Sequence, residues 1–129
     1  MSRGLRAAVL TSIALLAACA GPSSNRLGEV RTTSLGRVLV DANGYTLYIH
    51  GEDPPGVSHC TPACTVYWPP LEATQDAVPQ GDFTIITREG GTRQWAYKTR
   101  PLYRFAFEIG PGRTGGEGAA DGDWHVARP

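Results

Sequence analysis

The stretch RVLVDANGYTLYI, residues 37–49, decides the fold that this sequence predicts. Two runs of strand-forming residues flank the pair Asn43-Gly44. An Asn-Gly pair in this setting is the strongest short-range signal for a β-hairpin, because both central residues of the favoured turn take positive φ. The stretch therefore predicts two antiparallel strands joined by a tight turn.

The end of this hairpin recurs 55 residues further along the chain (47 to 102). The segment LYIH at residues 47–50, followed by Asp53, corresponds to LYRF at residues 102–105, followed by Glu108. Each copy then enters a loop rich in proline and glycine. Two copies are too few for a solenoid, so we expect two related β units packed against each other. We place these repeat units at about residues 36–56 and 92–112.

The remaining strand signals fit one small β domain. A second tight hairpin is predicted around the loop EGGT at residues 89–92. The glycine-rich segment 110–123 is expected to be a mobile loop. The segments with the composition of further strands are residues 30–33, 83–87, 94–97, 102–107 and 124–126.

A short helix is predicted between residue 61 and the prolines that follow Trp68. Thr61 suits the N-cap and Pro62 the first helical position, whereas Pro69 cannot continue a helix. We expect about two turns, with Cys60 and Cys64 pairing near the helix start, since two neighbouring thiols of an exported protein usually form a disulfide. The predicted fold class is mostly β, two related hairpin repeats with one short disulfide-pinned helix.

The N-terminus has the organisation of an export signal. Arg3 and Arg6 precede twelve mostly apolar residues, 7–18. This run is too short to span a bilayer, which needs about 20 apolar residues. It ends in LAAC, residues 16–19, which resembles the bacterial lipobox, where the cysteine thiol receives a diacylglycerol. The alternative is an ordinary secretory signal in which Cys19 is incidental.

Lipidation at Cys19 divides the chain into three parts. Residues 1–18 are the signal peptide, residues 19–28 a lipidated flexible tether, and residues 29–129 a single β-rich domain. Several acyl chains, palmitate among them, hold a protein firmly on a membrane, whereas one chain is marginal. Ala20 is not the aspartate that retains some lipoproteins at the inner membrane. In a host with two membranes we therefore expect the outer membrane, with the domain facing the periplasm.

The composition excludes a nucleic-acid partner. Without Arg3 and Arg6, ten basic residues face twelve acidic residues, and no basic run stands out. Besides the membrane, an envelope protein or a glycan is the expected kind of partner, and many aromatic residues are available for such a face or for the core. No hydrolase signature and no cofactor motif is recognisable.

Several of these segments resemble a family of secreted repeats of unknown function, predicted bacterial lipoproteins that carry a Y-x-[FWY]-x-x-D motif. The resemblance covers about residues 36–127, and its most specific element is the Cys-x3-Cys-x3-Trp-Pro-Pro segment at residues 60–70. The first copy departs from the motif with histidine in the aromatic position, and the second with glutamate in place of aspartate. The resemblance implies export and a two-copy fold, and it brings no reaction. The motif positions are Tyr48, His50, Asp53, Tyr103, Phe105 and Glu108.

Three kinds of site remain open at the level of sequence. Asp53 and Glu108 could serve as paired acids or cation ligands, although a carboxylate in a Pro/Gly turn more often accepts backbone N–H groups. The cysteine pair could exchange disulfides, although Cys-x3-Cys is not the Cys-x-x-Cys of redox enzymes. Copper or zinc could bind reduced thiolates together with imidazoles, although the spacing is not a standard zinc pattern. The candidate metal ligands are His50, His59 and His125.

Weighing these alternatives, we expect a non-enzymatic binding or structural module of the cell envelope without a cofactor. The second interpretation is an envelope metal-binding or electron-transfer accessory protein.

Overall fold

The structure is a computed structural model that describes residues 4, 7–14 and 27–129. Cys19, the lipobox and most of the predicted tether lie outside these residues. Within the described part of the chain, no helix combines the length and the apolar character needed to cross a bilayer.

Seven short strands and two four-residue helical segments make up the part of the chain that the structure describes. The strands are β1 (Val30–Thr33), β2 (Gly36–Leu39), β3 (Tyr48–His50), β4 (Phe83–Thr87), β5 (Arg93–Tyr97), β6 (Arg100–Pro101) and β7 (Trp124–Val126). The helices are α1 (Pro62–Thr65) and α2 (Ala119–Gly122).

All strand pairs are antiparallel and form three small sheets. Strand β1 pairs with β2, β3 pairs with β7, and β4, β5 and β6 form a meander. The hairpin predicted around residues 89–92 is confirmed, with β4 and β5 in register from Phe83↔Tyr97 to Thr87↔Arg93. The predicted last strand is also present, and it closes a sheet by pairing with β3. The mostly β fold class is confirmed.

Helix α1 begins where the sequence predicts and ends earlier. The Thr61 hydroxyl accepts the Cys64 N–H at 3.4 Å, and Pro62 occupies the first turn. The helix has four residues, about one turn, where two turns were expected. The Cys60–Cys64 disulfide is present and lies across this turn.

The turn at Asn43-Gly44 differs from the predicted type. Gly44 has positive φ (+84°), but Asn43 does not. The Asp41 carboxylate instead organises the turn, since its Oδ1 accepts the N–H groups of Asn43 (2.9 Å) and Tyr45 (3.0 Å). The flanking chains meet at one bridge, Val40↔Thr46, and β3 pairs with β7 rather than with β2.

A further expectation from the sequence was wrong. Residues 102–107 do not form a strand, because Tyr103 lies in single bridges between Tyr48 and Pro70 and the chain then turns. The glycine-rich segment 110–123 contains α2, and part of it packs on the core, as described below.

The structure has two apolar cores. Neighbouring residues of one extended segment enter different cores, because successive side chains of an extended chain point to opposite faces. The first core contains Val38, Val40, Tyr48, Cys60, Trp68, Tyr103, Trp124 and Val126. The second core contains Leu39, Leu47, Ala73, Trp95, Leu102 and Ala127. The central segments are therefore buried on both faces, which fits their nearly continuous apolar sequence.

The two copies exchange the segments that complete them. We call residues 68–71 and 124–127 the closing segments; each follows one of the repeat units in the chain, and we count it with that unit as one copy. In the first copy, Leu47 N–H donates to Leu39 O (3.0 Å) and Leu39 N–H donates to Ala127 O (2.8 Å). Ala127 N–H donates back to Leu47 O (2.8 Å), so the closing segment of the second copy completes the first.

The same three-membered pattern recurs in the second copy with the roles exchanged. Leu102 N–H donates to Trp95 O, Trp95 N–H to Leu71 O, and Leu71 N–H to Leu102 O, each at 2.9 Å. Leu71 belongs to the first copy. The molecule therefore has an internal two-fold pattern in which neither copy is complete alone.

Candidate functional site

The two motif tyrosines lie side by side at the centre of this pattern. Tyr48 N–H donates to Tyr103 O (2.8 Å), and Tyr103 N–H donates to Tyr48 O (2.9 Å). Both side chains are fully buried in the first core. The backbone of one copy is thereby joined directly to that of the other.

Each tyrosine hydroxyl donates to the motif acid of the other copy. The Tyr103 hydroxyl donates to Asp53 Oδ2 at 2.5 Å, and the Tyr48 hydroxyl donates to Glu108 Oε2. The second oxygen of each acid holds a loop, since Asp53 Oδ1 accepts His59 N–H (2.7 Å) and Glu108 Oε1 accepts Gly115 N–H (2.9 Å). This geometry matches the structural interpretation of the acids, because every carboxylate oxygen has a protein donor.

The tyrosine hydroxyls are held in their neutral form. Burial raises the pKa of Tyr48 and of Tyr103 above the ordinary value, and the hydrogen bond to the partner carboxylate raises each pKa further. A neutral phenol keeps its proton and donates a hydrogen bond to the carboxylate, whereas a phenolate beside that carboxylate would be repelled. Each pair therefore joins the two copies through a hydrogen bond from a neutral phenol to a carboxylate.

A stack of rings crosses the same core. Trp68 and Trp124 lie nearly parallel, with centroids 3.9 Å apart. His50 stacks on Trp124 (4.4 Å), and Phe105 packs on Trp68 (4.9 Å). The middle motif residue of each copy thus ends the stack, and histidine can replace an aromatic residue there because its flat imidazole ring stacks on the indole.

The three histidines have separate partners. His50 Nδ1 lies 3.4 Å from Asp53 Oδ1, and His125 Nδ1 lies 2.9 Å from Glu117 Oε1. His59 is exposed and contributes its backbone N–H. Cys60 and Cys64 are joined to each other, so they offer no thiolate. Among residues 4, 7–14 and 27–129, no three His, Cys, Asp or Glu side chains form a group that could hold a metal ion.

An open groove of about 1000 Å³ lies beside α1 and the disulfide. Hydroxyl groups and proline rings dominate its walls, and Glu72 and Glu89 stand at its edge. Among its lining residues, the imidazole of His59 is the only aromatic ring. The hydroxyl and proline residues of the groove are Ser58, Thr61, Pro62, Thr65, Pro69, Pro70 and Thr92.

Arg88 connects the groove to the motif core. Its Nη1 donates to Ser58 Oγ (2.6 Å) and to Gln94 Oε1 (2.8 Å), and its Nη2 donates to Cys60 O (2.5 Å). Gln94 is fully buried and donates in turn to Leu102 O (2.8 Å). The positive charge in the groove wall is thereby engaged in supporting the loop of Cys60.

Ser58 has no arrangement for nucleophilic chemistry. Its Oγ lies 2.6 Å from the Tyr103 hydroxyl, which already donates to Asp53. Ser58 therefore donates its own proton to Tyr103 and accepts from Arg88. A nucleophilic serine needs a base that can take this proton, and here the proton points to a phenol with a raised pKa.

Ser58, Arg88 and Gln94 were not identified as site residues from the sequence. Their contacts join positions 30 and 45 residues apart, as in Arg88 to Ser58 and Ser58 to Tyr103. A single serine before a cysteine and an arginine after a strand carry no motif. The buried glutamine in a strand was the only available signal, because such an amide requires partners.

Comparison with known proteins gives one match. The model of a family described as a secreted repeat of unknown function matches residues 29–72 and 84–128. Each matched segment contains one of the predicted repeat units and ends with its closing segment. No curated protein and no solved structure matches the chain.

Proposed function

Since the chain belongs to the family of secreted repeats of unknown function, we propose that it is an exported lipoprotein whose domain serves the cell envelope as a non-enzymatic binding module. The family supports the export part of this proposal. Lipidation rests on the sequence LAAC at residues 16–19, and the outer membrane rests on Ala20.

The anchor is tested with two variants in a host that has two membranes. We expect the wild-type protein to incorporate labelled palmitate and to fractionate with the outer membrane. Cys19→Ser should lose the label and leave the membrane fraction. Ala20→Asp should keep the label and move to the inner membrane. Label retained by the serine variant contradicts lipidation at Cys19, and an unchanged location of the aspartate variant contradicts the sorting argument.

The state of the motif acids supports a role other than catalysis. Asp53 and Glu108 bond tyrosines of the opposite copies and hold separate loops. In hydrolysis by a pair of acids, one carboxylic acid protonates the substrate, and the other carboxylate acts on the substrate as a base or nucleophile. These carboxylates are occupied by protein donors instead, which leaves them no free oxygen for such work.

We assign binding to the groove beside the disulfide, because of the residues that line it. Its arginine is already engaged by protein acceptors, and two carboxylates stand at its edge, so an anionic ligand is disfavoured. Apart from the imidazole of His59, its lining has no aromatic ring on which a sugar could stack. Hydroxyl groups and proline rings suit an extended, uncharged polypeptide segment of an envelope protein.

Site-specific photo-crosslinking in living cells tests this assignment. A photoreactive amino acid at Thr65 or Thr92, both in the groove wall, should give the same discrete adduct with one envelope protein. The matched control is Thr84, an exposed threonine of β4 outside the groove. Equal cross-linking from Thr84, or adducts with glycan and no protein, would refute a polypeptide partner in the groove.

A further inference from the structure

A second pocket, of about 400 Å³, lies where β3 and β7 meet the turn between β5 and β6. It shares no residue with the groove. We call it the basic pocket. Its floor consists of Ile49 and Tyr97, which are partly exposed, with the buried Ala127 beside them. Its charged and titratable residues are Lys98, Arg100, Glu117, His125 and Arg128.

Positive charge dominates the basic pocket. The one carboxylate, Glu117, is committed to the protein, since Oε1 lies 2.9 Å from His125 Nδ1 and Oε2 accepts Val126 N–H at 2.6 Å. In the described part of the chain no carboxylate lies within ion-pair distance of Lys98 or Arg100. Both side chains therefore present unneutralised charge, and both are exposed, whereas the guanidinium of Arg88 is held by three uncharged protein acceptors.

The remaining cation is held in position by the backbone. Arg128 Nη1 donates to Leu35 O at 2.8 Å, which fixes one nitrogen of the guanidinium and leaves the other available. The Lys98 ammonium lies 5.1 Å from the centre of the Tyr97 ring, at the border between the floor and the charged rim. The pocket thus places fixed charge beside an apolar surface.

The turn that carries Lys98 has an unusual backbone. Lys98 and Thr99 are both in the left-handed region, with φ of 46° and 68°, where Gly or Asn is the usual residue. The neighbouring chain holds this conformation, since Lys98 N–H donates to Asp82 O (3.0 Å) and Thr99 O accepts Gly56 N–H (2.8 Å). This two-residue turn fixes the backbone positions of Lys98, which lies in it, and of Arg100, which follows it in β6.

We propose that the basic pocket binds a small amphiphilic anion, in which a carboxylate or phosphate group is attached to an apolar body. The head group meets the three cations at the rim, where arginine provides paired N–H donors. The apolar body covers the floor of Ile49, Tyr97 and Ala127. A bare anion leaves that floor unused, and a neutral apolar molecule leaves the cations unused, so both parts are required.

The sequence provides a direct probe of this pocket, because Lys98 is the only lysine in the chain. Reductive methylation with ¹³C-formaldehyde keeps the positive charge and gives one side-chain NMR signal, distinct from that of the N-terminal amine. Phenyl phosphate and benzoate are the test ligands, one for each head group. Inorganic phosphate and benzyl alcohol are the matched ligands that lack one of the two parts.

We expect phenyl phosphate, benzoate or both to shift the Lys98 signal saturably, with inorganic phosphate and benzyl alcohol at least ten-fold weaker. Arg100→Gln should weaken this binding at least ten-fold, and added salt should weaken it as well. Arg113→Gln, which removes an exposed arginine outside the pocket, should have no effect. Calorimetry on Lys98→Gln gives a second variant that does not depend on the NMR reporter, and it should show the same loss.

Three results would overturn the proposal. They are the absence of saturable binding by both test ligands, equal affinity for inorganic phosphate or benzyl alcohol, and equal losses in Arg100→Gln and Arg113→Gln. None of these results bears on the groove, because the two sites share no residue.

Discussion

At the scale of single residues, the hydroxyl groups of Tyr48 and Tyr103 do work that their rings cannot do. Each ring fills the first core, as a phenylalanine could. Each hydroxyl donates a hydrogen bond that offsets the free-energy cost of removing a carboxylate from water. This cost is large for Asp53, because its side chain is only 2% exposed. A buried carboxylate without its donor is expensive, because it keeps its charge and loses its solvation.

Tyr103→Phe is therefore expected to lower the free energy of unfolding by about 1–3 kcal/mol. The change keeps the ring and removes the donor to Asp53 and the acceptor for Ser58. Chemical denaturation measures the loss. The matched control is Tyr67→Phe at a half-exposed position, where a change within about 0.5 kcal/mol is expected. Equal effects at the two positions would contradict the structural role of the hydroxyl.

Gly116 packs directly against the motif core, where a side chain cannot fit. A Cβ at this position would lie 2.7 Å from the Trp68 ring and 3.0 Å from the Tyr48 ring. Gly116→Ala is expected to destabilise the protein by about 1–3 kcal/mol, because the tight stack must move. Gly110→Ala is the control, since nothing lies within 4 Å of its Cβ and its φ is not positive. Thermal unfolding of the two variants distinguishes a packed loop from a mobile one.

At the scale of elements, Glu117 links the loop before α2 to strand β7. Partial burial raises the pKa of Glu117, but the hydrogen bonds from His125 and from Val126 N–H outweigh it, so the pKa lies below the ordinary 4.5. A carboxyl group with a lowered pKa in the folded state contributes stability above its unfolded pKa. That contribution is lost as the pH falls through the folded pKa.

Glu117→Gln should therefore be less stable than the wild type at pH 7, and the difference should shrink as the pH falls from about 4.5 toward 3. Denaturant titrations across this range measure the difference. Glu89→Gln removes an exposed carboxylate that lies outside this contact, and it controls for the general loss of one charge. A difference that stays constant down to pH 3 would show that the carboxylate contributes no proton-linked stability.

The sequence predicted the elements well where residues close to one another in the chain determine them. The hairpin of β4 and β5 and the start of α1 depend on a tight turn, a cap and a proline, which act over four or five residues. The turn at Asn43-Gly44 was assigned the wrong type because a side chain, Asp41, competes for its backbone N–H groups. Residues 102–107 have the composition of a strand. Their β-bridge partners, Tyr48 and Pro70, come from distant segments and pair only with Tyr103, so no continuous strand forms.

The motif residues were identified from the repeat, and a structural role for the acids was the interpretation that the sequence favoured. Their pairing across the copies was not, because a repeated sequence shows that two units are alike without showing which acid meets which tyrosine. The basic pocket was also invisible, since its cations come from residues 98–100 and 128 and no local pattern joins them.

At the scale of the whole molecule, the exchange of closing segments makes the two copies mutually dependent. Trp124 illustrates this dependence, because it is buried and stacks on both His50 and Trp68 of the first copy. The backbone of Ala127, three residues later, bonds Leu39 and Leu47. A defect near the C-terminus should therefore appear in residues some 80 positions earlier.

Trp124→Ala is expected to cost about 3–5 kcal/mol, as for other buried large side chains. Trp124→Phe, which keeps a ring in the stack, should cost less. Hydrogen exchange should show faster exchange of the Leu39 and Leu47 amides in the alanine variant. Faster exchange confined to residues 84–128 would contradict the exchange of closing segments.

The same exchange has a consequence for a chain cut into one copy. In residues 29–72 alone, the backbone groups of Leu39 and Leu47 would lack their partner Ala127, and Leu71 would lack its partner Trp95. The fragment would therefore have both an unfilled edge and an unpaired closing segment. We expect two such fragments to complete each other by a two-fold rotation through the Tyr48–Tyr103 position, which is the geometry of an isologous homodimer. The connection at residues 73–83 thus converts what would be a concentration-dependent association into an intramolecular one, and the monomer is in this sense a dimer made in a single chain.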